Sequence, residues 1–442
     1  MSRPLPLIPR RRILSLLRVV FHGLALTLWV AKASAQPRGG EPLPPWQPGW
    51  LDIHHINTGC GDAAFFVLPD GTTLLVDAGA VSGRKRPEGY DSPQRPNATR
   101  RPGEWIAHYI RQHHPSKTNT DLDYALLTHF DEDHMGTVTE ASPLASHGMY
   151  RLSGITDVGD QIPIHRMLDR AWPSYHYPRA MPGLKMENYR AFLRWQKEKK
   201  AMSVEAFAAG RHDQIVLVHH PERYPEFEIF NLAVNGRIWE GATRVLRDRF
   251  PEIDPPSENN SSTAFRLRYG NFRYYTGGDL AGPPQSTQKT WRDMESALAW
   301  LVGPVDVHVM NHHGTEGSVN NVFLSVLKPR VHIASTYASS QPGSDLLKRV
   351  LSEENYPGPR DVFLTNGLWE GRWPNMVTLF GEEQATWLAT QLDRGLTGVQ
   401  GHIVVRVIER GARYYVIRLD DQSEAPKVLA VHGPYLSAMS AL

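Results

Sequence analysis

An apolar run from Tyr124 to Leu127 stops abruptly, and the chain continues Thr128-His129-Phe130-Asp131-Glu132-Asp133-His134-Met135-Gly136, placing four potential metal ligands within six residues. A short apolar stretch bounded by polar residues suits a buried strand. Alternation beyond its end sets His129, Asp131 and Asp133 on one side of the chain, and His134 turns in from another direction. Imidazole and carboxylate ligands crowded in this way suit Zn²⁺ or a harder ion such as Mn²⁺. Without a cation, aspartates so close together would repel, and one would tend to keep its proton. A solvated acidic loop with two incidental histidines is the bland alternative, and the apolar strand leading into the run weighs against it.

The segment resembles the metal-binding signature of the metallo-β-lactamase superfamily, in the variant where an aspartate replaces the second histidine. That variant is typical of the ComEC-type competence protein metallohydrolase domain. Other blocks share the resemblance: Ile56-Asn57-Thr58-Gly59-Cys60-Gly61-Asp62, Leu75-Val76-Asp77-Ala78-Gly79, Asn260-Ser261-Ser262, Thr276-Gly277-Gly278-Asp279-Leu280 and Asn311-His312-His313-Gly314. They occur in order over roughly residues 51 to 340. The resemblance implies an α/β chain folded as a four-layer αββα sandwich; residues of about 137–258 exceed what that core needs and read as a central insertion, and beyond residue 366, where the resemblance fades, the chain reads as a small β-rich C-terminal appendage. The resemblance also implies two divalent metal ions, Zn²⁺ or Mn²⁺. His129 and Asp131 would hold one, Asp133 and His134 the other, and Asp279 would bridge. His313 would complete the second site, with His312 as runner-up. A third protein ligand for the first ion is not evident, and His165, Asp169 and His176 are candidates by position.

Two such ions lower the pKa of a shared water towards neutrality and generate a hydroxide nucleophile, so no side-chain nucleophile is needed. Asp133 and Asp279 are the candidate catalytic residues, as acceptors or donors of the proton. Asp62 and Asp77 are candidates for orienting the ligands or capping turns. The leading expectation is a metallohydrolase acting on a phosphodiester or related ester, small or polymeric. Alternatives are a hydrolase of carboxylic esters, lactones or β-lactams, or a non-catalytic cell-envelope binding protein.

Charge bears on the partner. The chain has 48 basic and 46 acidic residues, but residues 1–35 hold five arginines, one lysine and no acid. Without them 42 bases face 46 acids, a formal charge of −4, which gives no support to tight nucleic-acid binding. That segment reads as a signal peptide: Arg10-Arg11-Arg12, an apolar stretch from Val19 to Ala31, and Ala33-Ser34-Ala35 before Gln36. Its Pro9-Arg10-Arg11-Arg12-Ile13-Leu14 also resembles a twin-arginine signal. Export to the periplasm or medium follows as an expectation, with no integral membrane span once the leader is cleaved. The lone Cys60 permits no intramolecular disulfide, and a packed thiol is favoured over a thiolate ligand.

Residues 36–50 are rich in proline and glycine and read as a linker. The hydrolase domain is expected over 51–366 and the appendage over 367–442, with a hairpin turning at Arg410-Gly411. Val81 to Arg101, dense in glycine, proline and charge, reads as a loop near the site mouth.

Overall fold

The computed structural model describes residues 37–241, 245–282 and 289–438. The expected signal peptide lies outside them. The first half of the chain runs β1 (Leu51–His55), β2 (Ala64–Val67), β3 (Thr73–Val76), α1 (Pro102–His113), β4 (Leu122–Leu126), α2 (Glu132–Met135), α3 (Ile155–Gln161), β5 (Ile164–Asp169), α4 (Leu184–Lys200) and β6 (Ser203–Ala206). Then follow β7 (Phe227–Val234), β8 (Arg237–Glu240), β9 (Val245–Asp248), β10 (Ala264–Tyr269), β11 (Phe272–Thr276), α5 (Met294–Val302), β12 (Val307–Val309), α6 (Asn321–Leu327), β13 (Val331–Ala334) and α7 (Ser344–Leu351). The chain closes with β14 (Asp361–Leu364), α8 (Arg372–Phe380), α9 (Glu382–Thr390), β15 (His402–Ile408), β16 (Arg413–Leu419) and β17 (Val428–Leu436).

The strands assemble into a nine-stranded sheet, ordered β17-β16-β15-β1-β2-β3-β4-β5-β6, and an eight-stranded sheet, ordered β14-β13-β12-β11-β10-β7-β8-β9. Alternation along each strand assigns one face to the opposite sheet and the other to helices. Phe66, Leu74, Tyr124 and Leu126 of the first sheet meet Phe265, Leu267, Val307 and Ile333 of the second in one buried cluster. Their neighbours Phe65, Leu75 and Ala125 point the other way, onto Ile106 and Ile110 of α1, Val158 of α3 and Phe192 of α4. On the far side, α5 and α6 cover the second sheet through Leu298 and Phe323, and α7 and α9 through Leu346 and Leu388. The layers are therefore helix, sheet, sheet, helix, the αββα order expected.

The region 137–258 does more than decorate this frame. It supplies β5 and β6 to the first sheet and β7 to β9 to the second. Beyond residue 366 the expected hairpin is present as β15 and β16, and it continues the first sheet. β15 pairs antiparallel with β1 from Leu51↔Val407 to His55↔Ile403. Across that seam Arg406 forks onto Asp52, with Nε donating to Oδ1 at 2.9 Å and Nη2 to Oδ2 at 2.6 Å, and both residues are buried. Residues 37–50, read from the sequence as linker, lie against the same sheet. Gly40 and Glu41 exchange backbone hydrogen bonds with Val428, and Leu43 is buried.

Candidate metal centre

The predicted ligands converge where several strands end. The parallel strands β3 and β4 deliver Asp77 and the His129–His134 run, β11 delivers Asp279, and β12 delivers His312 and His313. Ligand sites in open α/β sheets favour such carboxyl ends. The chain pays for the placement in backbone strain, since Asp77, His312 and His313 adopt φ of 59°, 52° and 56°. Left-handed non-glycine residues cost on the order of 1–3 kcal/mol each and gather at functional sites. Gly79 passes beneath α2 so closely that a Cβ there would run into the Asp133 carbonyl.

Asp133, His134, Asp279 and His313 are all buried, and each offers a ligand atom within 4.8 Å of the others. The tautomers of the two histidines follow from their outer partners. His134 Nδ1 donates to Asp77 Oδ2 at 2.8 Å, and His313 Nδ1 donates to the Ser335 carbonyl at 2.9 Å. Both Nε2 lone pairs are thereby turned inward, and they face one another at 3.3 Å. Two imidazole lone pairs at that distance repel unless a proton or a cation lies between them. The carboxylates demand the same: burial lowers the His134 and His313 pKa values, yet Asp279, with Asp77 and Asp133, holds both well above the ordinary imidazole value. Burial conversely raises Asp133 and Asp279, and the histidines more than reverse it, leaving both below the usual carboxylate range. The donor set of two imidazoles and two carboxylates fits a divalent cation.

A second group of ligand atoms adjoins the first. Among the described residues His129 Nε2 is buried without a hydrogen-bond partner, 3.6 Å from Asp131 Oδ2 and 3.8 Å from Asp279 Oδ2. Asp279 Oδ1 lies 3.1 Å from His134 Nε2. Asp279 thus stands between the two groups, as a bridging residue would. The sequence left a third ligand beside His129 and Asp131 unassigned. His312 Nε2, partly exposed, lies 3.7 Å from Asp279 Oδ2 and 3.1 Å from Asn259 Nδ2, which makes it a candidate for that role. Its spacing carried no signal, because the His-His-Gly block was expected to give one ligand. The three positional candidates lie elsewhere: His165 and His176 are exposed, and Asp169 is buried, accepting from the Ala171 and Trp172 amides and the Tyr175 and Tyr189 hydroxyls. Burial pushes the Cys60 thiol up to about 12, so it remains a thiol.

No family model matches this chain, and no curated protein does. Among solved structures, one provisionally named a metal-dependent hydrolase, from Parabacteroides distasonis ATCC 8503, is 12% identical, with 74% of this chain and 98% of that chain covered and a TM-score of 0.33.

Asp77 was a candidate for orienting the ligands, whereas Glu258, Arg170, Glu295, Tyr337 and Arg84 escaped the sequence reading. Asp77 accepts from the Thr128 amide at 2.8 Å and the Thr128 hydroxyl at 2.7 Å as well as from His134, so one carboxylate fixes the start and the end of the ligand run. Glu258 accepts the Phe130 amide at 2.8 Å and is gripped by the buried Arg170, which fixes the backbone between His129 and Asp131. Glu295 accepts from the Asn311 side chain at 2.8 Å and from the Val319 and Asn320 amides at 2.7 and 2.8 Å, which anchors the loop carrying His312 and His313. Tyr337 donates to Asp133 Oδ2, and Arg84 approaches the other oxygen at 3.4 Å.

Proposed function

We propose that this chain is an exported metal-dependent hydrolase holding two divalent ions, Zn²⁺ or Mn²⁺, and acting on a phosphodiester or related ester. The observation that carries the reading is the pair of inward Nε2 atoms of His134 and His313, 3.3 Å apart and enclosed by the Asp133 and Asp279 carboxylates. His129, Asp131 and His312 would serve the first ion, on the other side of Asp279. Divalent ions in such a site supply Lewis acidity and bring a water's pKa close to neutrality. The chain's own residues do the rest. Asp77 and the Ser335 carbonyl keep the histidine tautomers inward, Glu258 and Glu295 fix the two ligand loops, and Asp133 and Asp279 would take up or return a proton.

The phosphodiester preference rests on the ComEC-type resemblance, in which Asp131 adds a hard oxygen donor where many relatives carry histidine. Export rests on the leader-like residues 1–35. Among the described residues no helix is long and apolar enough to cross a membrane. The test is hydrolysis of bis(4-nitrophenyl) phosphate by the protein lacking residues 1–35, loaded separately with Zn²⁺ and Mn²⁺, with Asp279→Ala in parallel. Activity that vanishes in the variant supports the reading. Stoichiometric metal binding without any turnover would move the assignment to carboxylic esters, lactones and β-lactams, and then to the envelope-binding protein.

A further inference from the structure

We infer that Arg84, held in place by Tyr337, recognises a negatively charged group on the substrate beside the metal cluster. This rests on the hydrolase reading and narrows its substrate to an anion, such as a phosphodiester.

Arg84 lies in the segment between β3 and α1, far in sequence from Tyr337, which follows β13. The two segments are pinned together: Ser92 N donates to the Tyr337 carbonyl at 2.7 Å, Ser339 N to the Tyr90 carbonyl at 2.8 Å, and the Tyr90 hydroxyl to Ser340 Oγ at 3.0 Å. A guanidinium and a phenol are thereby brought to the mouth of the cluster. Arg84 Nη1 donates to the Tyr337 hydroxyl at 3.1 Å, and that hydroxyl in turn donates to Asp133 Oδ2. Tyr337 also packs edge-on against the His313 ring, with centroids 5.1 Å apart.

The contacts of Arg84 differ in kind from those of the structural arginines. Arg170 and Arg406 each close a fork on one carboxylate at 2.5–2.9 Å and are fully buried. Arg84 instead spreads over the Tyr337 hydroxyl, Asp133 at 3.4 Å and Glu132 at 3.6 Å, and its side chain keeps 26% of its surface exposed. Glu132 is shared with Lys185 of α4 at 3.3 Å, so a second cation lies on the same rim. A guanidinium with long, divided contacts beside a cluster whose carboxylates are committed to cations retains donors for an incoming anion, and its planar fork matches phosphate oxygens. A neutral ester would make less use of those donors than an anion.

The test compares bis(4-nitrophenyl) phosphate with 4-nitrophenyl acetate, which share a leaving group and differ in charge. It also measures inorganic phosphate binding to the metal-loaded protein by calorimetry and metal content by mass spectrometry. Arg84→Gln is expected to load metal fully, lose at least tenfold in phosphate affinity, and lower the phosphodiester-to-acetate ratio of kcat/KM at least tenfold, mainly through KM. Arg84→Lys should recover part of both, and Tyr337→Phe should weaken phosphate binding by loosening the guanidinium. An unchanged ratio with unchanged phosphate affinity, or metal lost in proportion to activity, would overturn the inference and make Arg84 a structural partner of Asp133. If the wild type hydrolyses no phosphodiester, the functional reading fails by itself, and phosphate affinity still decides whether Arg84 binds anions.

Discussion

His134 Nδ1 and Asp77 Oδ2 lie 2.8 Å apart, and this contact ties the end of β3 to α2, which follows the adjacent parallel strand β4. The same carboxylate receives the Thr128 amide and hydroxyl, so it sets both the tautomer of a ligand and the course of the backbone that carries it.

Replacing Asp77 by Asn keeps the volume and tolerates the left-handed φ of 59°, but the amide is a weaker acceptor and presents donors to donors. Outer partners of metal-binding histidines are worth roughly 10–100-fold in affinity. Asp77→Asn is therefore expected to weaken Zn²⁺ binding by about that factor while the circular dichroism spectrum is retained. Wild-type affinity by calorimetric titration would show that the contact does not orient His134.

His312 and His313 are adjacent in sequence and face different ligand groups. His313→Ala should abolish binding at the buried Asp133, His134 and Asp279 cluster, whereas His312→Ala should spare that ion and weaken a second. Metal stoichiometry after dialysis distinguishes them. Two ions retained at wild-type affinity in His312→Ala would remove that residue from the ligand set.

The Asp52–Arg406 fork joins β1 to β15 out of contact with water. Removing one partner strands a buried charge, at a cost of about 3–5 kcal/mol. Asp52→Ala should lower the unfolding free energy by that amount in urea. The double variant Asp52→Leu, Arg406→Met should lose much less, since it removes both charges. Ending the chain after residue 366 should prevent folding, because β1 would then be an unpaired edge in place of a central strand.

Burial lifts the Glu295 carboxyl from 4.5 to about 7, against the pull of its three N–H donors. A raised folded-state pKa means that its contribution to stability is fully present below pH 4.5 and is lost as pH rises to about 7, flattening beyond that. The loss amounts to about 3 kcal/mol. Urea unfolding of Glu295→Gln and wild type from about pH 4.5 to about pH 8 should show the difference moving in the variant's favour by that amount. A difference independent of pH would show that Glu295 is already ionised in the acid range.

The amino-acid sequence by itself determined what a single strand end can carry. A short continuous apolar run predicts β4, and the next eight positions place His129, Asp131, Asp133 and His134 together because neighbours in sequence cannot avoid being neighbours in space. Asp279 and His313 became candidates only through the resemblance of their short motifs to a known family. Only the tertiary structure decided what closes around them. Tyr337 meets Asp133 across 204 residues of chain, and Glu258 meets Phe130 across 128. The place of His312 beside Asp279 likewise depends on how β11 and β12 pair. The C-terminal strands looked separable for the same reason: a hairpin reads identically in sequence whether it stands alone or, as here, pairs with β1. Local spacing fixes a ligand run, but contacts made when two sheets close face to face depend on register and packing between segments that share no sequence signal.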